Sequence, residues 1–245
     1  MLNNEQELIN CIVGRGSLTA SLQFEPIKHI RLRPNVIYDI VDNKKVLHLG
    51  CTDHIEIIEN KMKAGVYLHK QLSQVSAKCL GIDINAEAVE YIKSKGINNV
   101  IIEDITKSDI SQIKNEKWDY LLLAEMLEHI DNPVEFLRKI VENYKNNIGS
   151  FIITVPNAFG LIHLGNVLNL GKEIVNSDHR YWFTPYTLWK VIHQAGLYLD
   201  NLTMCLYENS INILSSNKNL FLEKPILLDT IVAVCHYQGD IEQGT

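Results

Sequence analysis

No Gly-x-Gly-x-x-Gly run occurs in these 245 residues, so no glycine loop is present to cradle a dinucleotide pyrophosphate. Cysteine is scarce. Cys11, Cys51, Cys79, Cys205 and Cys235 are odd in number, scattered and without a Cys-x-x-Cys pair. That excludes a disulfide framework or a structural zinc site and points to reduced thiols in a cytoplasmic protein. Cys79, Cys205 and Cys235 lie in apolar, strand-like runs and read as core. Positive charge is also short, 23 Lys and Arg against 29 Asp and Glu. A net charge of −6 offers no broad field for a nucleic-acid backbone. It leaves at most a local basic patch around Lys28, Arg31 and Arg33. No apolar run approaches the ~18 residues of a membrane span. The opening Met-Leu-Asn-Asn-Glu-Gln-Glu is too acidic for a signal peptide. Repeats and low-complexity tracts are lacking as well.

What is present alternates. Val46, Leu47 and Leu49 form a short apolar run that closes on Gly50-Cys51, as a buried parallel strand entering a tight turn should. Further strands are expected at about 78–82, 100–102, 118–123 and 151–155. Helices are expected between them. Asn85 is placed to cap one at 86–95 that stops at Gly96. Asn132, Pro133 and Glu135 form the cap, first turn and capping box of another. Pro34 fits the first turn of a helix leading into the first strand, and Thr184-Pro185 begins a late one. Two last strand-like runs, 201–207 and 228–237, lack a crossover helix and suggest an antiparallel hairpin. The sum is an α/β chain with a doubly wound, Rossmann-like, mostly parallel seven-stranded sheet and a small inserted lobe. Residues 1–25 show little pattern and read as an N-terminal arm or lid. Residues 26–245 form one domain, with insertions at about 158–182 and 208–227. Residues 52–66 look like a long excursion before a helix at about 67–75.

Ligands in such sheets bind beyond the carboxyl ends of the strands. Gly50-Cys51, Asp83, Asp104 and Ala124-Glu125 fall there. Read as a set, Val-Leu-His-Leu-Gly-Cys (46–51), Gly-Ile-Asp-Ile (81–84), Glu-Asp-Ile (103–105) and Trp-Asp-Tyr-Leu-Leu-Leu-Ala-Glu-Met-Leu-Glu-His-Ile-Asp-Asn-Pro (118–133) resemble a class I S-adenosylmethionine-dependent methyltransferase. Ile-Thr-Val-Pro-Asn (153–157) and His-Arg-Tyr-Trp-Phe-Thr-Pro-Tyr-Thr-Leu (179–188) fit the same pattern. The resemblance spans roughly residues 27–237. It is nearest the branch that methylates oxygens of small molecules, quinols and glycans. It implies S-adenosylmethionine as cofactor, S-adenosylhomocysteine as product and a small-molecule or glycan acceptor. It implies cofactor contacts from Leu49, Gly50, Cys51, Asp83, Ile84, Asp104, Ile105 and Ala124. In that scheme Gly50 lines the methionine part, Asp83 holds the ribose hydroxyls and Asp104-Ile105 meets adenine. Asp83 and Asp104 also have plainer readings, as a helix cap and a turn acid. The family carries two or three glycines after its first strand, whereas Cys51-Thr52-Asp53-His54 follow Gly50 here.

Glu125-x-x-Glu128-His129 carries the sharper question. In a helical turn, positions i, i+3 and i+4 share a face, placing two carboxylates and an imidazole together. His179 is a fourth candidate from the later loop. Such a set can act as an acid/base pair or bind a divalent metal. A similar string with a downstream histidine chelates metal in small-RNA 3′-end methyltransferases. The expectation is a metal-free catalytic role for Glu125, Glu128, His129 and His179, with a divalent cation and a purely structural network as alternatives. His48, between apolar neighbours, is expected to be a hydrogen-bonded core histidine. Tyr181, Trp182, Phe183 and Tyr186 read first as packing and second as an acceptor pocket. Three competing functions stay open: a nicotinamide-dependent enzyme, disfavoured by the missing glycine fingerprint; a methyltransferase-like binding module without cofactor; and a metal-dependent RNA-end methyltransferase.

Overall fold

The computed structural model describes residues 5–107 and 109–238. In chain order its elements are α1 (Glu5–Ile12), α2 (Arg33–Val41), β1 (Lys45–Leu49), α3 (Ile55–Lys63), α4 (Leu68–Val75), β2 (Lys78–Asp83), α5 (Ala86–Ser94) and β3 (Val100–Ile102). There follow α6 (Ser111–Lys114), β4 (Trp118–Ala124), α7 (Pro133–Tyr144), β5 (Ile148–Pro156), α8 (Leu161–Leu170), α9 (Pro185–Gln194), β6 (Leu197–Cys205), α10 (Leu214–Glu223) and β7 (Thr230–Tyr237). The seven strands form one sheet in the order β3-β2-β1-β4-β5-β7-β6. The first five are parallel, and β7 runs antiparallel to both β5 and β6. The expected doubly wound sheet with its antiparallel C-terminal pair is therefore present.

Alternation along the strands builds two apolar layers. On β4, Leu121 and Leu123 join a large core with Leu137 and Ile140 of α7 and Leu188 and Ile192 of α9. Leu122, between them, faces the other side with Val36 and Ile37 of α2 and Leu72 of α4. Residues 5–12, expected within an arm or lid, are helical. Leu8 and Ile12 of α1 are buried in the large core. The Lys190 ammonium of α9 donates to the carbonyls of Cys11 (3.0 Å) and Ile12 (2.9 Å), two of the acceptors a helix end leaves unpaired.

Local chemistry explains most boundaries. The Asn85 side chain accepts from the Ala88 N–H and starts α5. Asn132 likewise accepts from the Glu135 N–H, and Pro133 occupies the first turn of α7. The expected capping box is only half made, because the Glu135 carboxylate pairs with Arg138 one turn on. The reciprocal box occurs instead at Thr184 and Thr187, at the start of α9. The segment expected as an open excursion is largely helical, with α3 packing Ile58 into the interior. The local basic patch left open around Lys28, Arg31 and Arg33 does not form. Arg33 is buried at 4% exposure and paired with Glu208, leaving only Lys28 and Arg31 outside. Within 158–182, α8 has no buried side chain. Within 208–227 lie a 3-10 turn, Glu208–Ile213, and α10.

Candidate active site

The strand order reverses between β1 and β4, the switch point at which a crevice opens in sheets of this type. Gly50 leaves β1 with φ +65°, a conformation that costs a residue with Cβ. A Cβ there would also lie 3.2 Å from the Met126 sulfur, so the two strand ends close directly on one another. At the end of β2 the Asp83 carboxylate accepts from the Thr52 N–H (2.9 Å) and from the Asn85 N–H (2.9 Å). It thus ties the β1 turn to the start of α5 and retains lone pairs for a ligand hydroxyl. Ile84, beside it, stands 75% exposed, an apolar face at a strand's end. A cleft of about 520 Å³ lies between the start of α3 and the start of α5, lined by Asp53, His54, Ile55, Glu56, Asn85 and Glu87. Asp104 folds back on Thr106, whose N–H and hydroxyl both reach Oδ1. Leu49, Cys51 and Ile105 are buried in the interior.

Beyond β4 the backbone departs from the expected helix. Glu125 takes φ +52°, rare for a residue with a side chain. Its N–H donates to the Thr154 carbonyl and hydroxyl, and that hydroxyl donates back to Glu125 Oε1 at 2.8 Å. The Arg33 guanidinium lies 3.7 Å from the same oxygen while forking onto Glu208 at 2.6 and 3.2 Å. Glu125 therefore belongs to a buried Arg33–Glu208–Thr154 network. It does not share a face with Glu128 and His129, because the helical turn begins only at Leu127.

Glu128, His129 and His179 do come together, with donor atoms all within 4.8 Å of one another. Glu128 Oε1 is 4.0 Å from His129 Nε2 and 3.9 Å from His179 Nε2, and the two rings meet edge to face at 4.7 Å. The loop that delivers His179 is fastened at several points. The Arg180 N–H donates to the Glu128 carbonyl and its guanidinium to the His129 carbonyl, both at 2.8 Å. Arg180 also pairs with Asp131, and the Tyr181 hydroxyl donates to the Asp131 carbonyl. Trp182 packs against His179 and against His163 of α8. Phe183 is core, and Tyr186 is packed against it in part. Glu128 is fully buried, and neither carboxylate oxygen has a hydrogen-bond partner among the described residues. Burial, with the nearby Glu125 charge, pushes its carboxyl well above the ordinary carboxylate range. Burial and the neighbouring His129 hold His179 below the ordinary imidazole value, hence neutral near pH 7. His129 is the more open ring, its side chain 32% exposed against 13% for His179.

His48 is a hydrogen-bonded core residue, as expected, and its partner is a second histidine. Its Nδ1 lies 3.2 Å from Nδ1 of the fully buried His69, a hydrogen bond in which one ring donates to the other. Burial lowers both, His69 to about 4. Both folded values thus lie below the unfolded one near 6.5. The unfolded chain takes up protons first as pH falls, and stability declines from about pH 6.5 until the folded pair titrates. The expected loss from His69 alone is roughly 3 kcal/mol between pH 6.5 and 4. Thermal melts over that range should show the midpoint dropping by on the order of 5–10 °C. A flat profile would contradict a neutral buried pair. Sequence reasoning missed Arg33, Thr154, Tyr67 and His69, none of which carries a local motif.

Over residues 28–202 the chain matches a family model described as a methyltransferase domain. It is similar to the ubiquinone biosynthesis O-methyltransferase of Shewanella halifaxensis, 22% identical over 216 residues, covering 81% of this chain and 84% of that protein. Among solved structures it is similar to the small RNA methyltransferase HEN1, with a TM-score of 0.56 and 13% identity over 90% of this chain and 28% of that one. It is also similar to the methyltransferase domain of bacterial CtHen1, with a TM-score of 0.50 and 16% identity over 84% of this chain and 96% of that one. At such identities the two structures speak to fold alone.

Proposed function

The chain belongs to the methyltransferase-domain family, and from that we propose that it is an S-adenosylmethionine-dependent enzyme that methylates an oxygen of a small molecule. The observation that carries the reaction site is the Glu128–His129–His179 cluster beside the β1/β4 switch point. The similarity to ubiquinone biosynthesis O-methyltransferases supports the choice of oxygen and of a small acceptor. A sugar unit of a glycan is the other acceptor class within this reading. The net charge of −6 supports neither a nucleic-acid acceptor nor a broad anionic partner. Five free, buried cysteines support a cytoplasmic setting. Among the described residues no helix is long and apolar enough to cross a membrane.

Asp83 accepts the ribose hydroxyls, Ile84 covers one face of the adenine, and Asp104 closes its edge. The turn at Gly50 and the Ala124 end of β4 face the sulfonium. Bound there, S-adenosylmethionine would supply an electrophilic methyl group, which the acceptor oxygen would take in line as the carbon–sulfur bond breaks to give S-adenosylhomocysteine. The chain's contribution is to align the two at about 3–3.5 Å and exclude water. His129, the open ring, takes the hydroxyl proton. Glu128, its carboxyl held neutral by burial, lies 4.0 Å behind it and limits the orientation of the ring.

One observation favours a second reading of the same cluster. Both Glu128 oxygens and His179 Nδ1 are buried without partners, and donors of this mixed oxygen and nitrogen type suit a divalent cation. Glu128, His129 and His179 would hold it, and its charge would favour the acceptor as an oxyanion. Calorimetric titration with S-adenosylmethionine and S-adenosylhomocysteine, before and after EDTA, tests both readings. Micromolar binding is expected in either case. Turnover of catechols or phenols that survives EDTA supports the metal-free base, and turnover restored only by a divalent cation supports the metal. No binding under any condition would leave the binding-module reading.

A further inference from the structure

The cofactor turn poses a mechanical problem. After Gly50 it runs through Cys51, Thr52, Asp53 and His54, every one with a Cβ that narrows its backbone freedom. A turn without glycine freedom must take its shape from outside attachments. On the side of the ligand crevice, the Gly50 N–H donates to the Ile82 carbonyl and the Thr52 N–H to Asp83. Further along the turn, Lys61 of α3 holds Asp53 at 2.9 Å, whereas the attachments at Cys51 and beneath the strand end come from α4. Tyr67, the residue that begins α4, is 4% exposed, and its hydroxyl donates to the Cys51 carbonyl at 2.7 Å. His69, in the first turn of α4, stacks on His48 two residues before Gly50, with ring centroids 5.4 Å apart.

Gly81 on β2 makes this contact feasible. A Cβ there would sit 2.7 Å from the Cys51 sulfur and 2.8 Å from His69 Cε1. The absent side chain lets thiol and imidazole share one space beneath the turn. The Tyr67 hydroxyl and the His48–His69 pair are buried polar groups, and they meet this stretch at Cys51 and His48, three positions apart.

We propose that α4 is the positioning element of the cofactor turn, with the Tyr67 hydroxyl fixing the Cys51 carbonyl and the His48–His69 pair supporting the strand end beneath it. The inference deepens the proposed function and rests on its reading that Gly50 to Thr52 and Asp83 line the cofactor. Neither Tyr67 nor His69 touches the cofactor. Each acts through the turn, so its loss should appear in cofactor affinity at a temperature where the fold is intact.

Titration of the full chain with S-adenosylhomocysteine at 25 °C tests this, with folding of each variant checked by circular dichroism. Tyr67→Phe removes one oxygen and is expected to raise Kd about five- to tenfold. His69→Leu is expected to do the same, and His69→Gln, which can still bond to His48, to restore most of the affinity. Asp83→Ala, which strips a direct ligand contact, is expected to weaken binding tenfold or more. If Tyr67→Phe binds as the wild type while Asp83→Ala is weakened, the role of α4 is overturned. If Asp83→Ala also binds as the wild type, the cofactor reading falls and takes this inference with it. Should His69→Leu fail to fold, Tyr67→Phe decides alone. A lowered melting temperature with an unchanged Kd would mark α4 as merely structural and overturn the proposal.

Discussion

Replacing His129 by alanine is expected to lower turnover by about 10²–10⁴-fold, the usual worth of a positioned base, while Kd for S-adenosylhomocysteine moves less than twofold. The split follows from geometry. His129 stands in the three-residue cluster after β4, whereas the residues proposed to hold the cofactor lie on β1, β2 and the loop after β3. The ring is free to accept a proton, because no hydrogen bond within the described residues engages its side-chain nitrogens and Glu128 waits at 4.0 Å. The measurement is S-adenosylhomocysteine released per minute with an acceptor found by screening, beside a calorimetric Kd. A variant with full turnover would remove His129 from the reaction. A variant that loses both turnover and cofactor binding would show the cluster to be part of the cofactor site.

Glu128→Gln is expected to make the protein more stable and less active at once. The sign follows from burial. The Glu128 carboxyl titrates well above its unfolded value, so the native state resists the ionised form that the unfolded chain adopts above about pH 4.5. Its contribution to stability is thus complete below the unfolded value and lost as pH rises towards the folded one. A glutamine has no such charge to suppress. The melting temperature at pH 7–8 should rise by about 2–4 °C for each kcal/mol recovered, and the gain should vanish near pH 4. Turnover should fall at least tenfold, since the amide offers no ionisable group beside the His129 ring when that ring takes up a proton. Equal melting temperatures at pH 8 would show that Glu128 is already satisfied in solution, as a bound cation would make it. The pairing of gain and loss is what an active site built on a buried acid should display.

How far these features could be read in advance depended on range. Strands β1 to β5 announced themselves through local apolar runs, and Asn85, Asn132 and Pro133 marked helix starts, because capping acts within three residues. The positions of Gly50 and Asp83 at strand ends followed from the apolar runs before them, whereas Glu128 was singled out by its spacing from Glu125 and His129. The face shared by Glu125 and Glu128 was misjudged, because it assumed a helical residue where the chain takes φ +52°. Nothing local reveals that choice. It is set by Thr154 on the neighbouring strand and by Arg33. Arg33 in turn reaches Glu208 across 175 positions, and a contact of that range leaves no periodicity to find. The same holds for His48 with His69 and for Tyr67 with Cys51, where spacing carries no signature and only the folded backbone brings the partners together.

The place of β7 governs the order in which this molecule can be assembled. It is the last of the seven strands to leave the ribosome, yet it lies between β5 and β6 and bonds to both. Until residues 230–237 emerge, β5 presents an open ladder on one side and β6 has no neighbour at all. Both are apolar in places, and unpaired strand edges of that kind recruit other chains. A nascent or truncated form ending near residue 225 should therefore hold its first five strands but depend on chaperones. The parallel half can form early, whereas completion of the sheet is a single late event in which β7 closes two edges together.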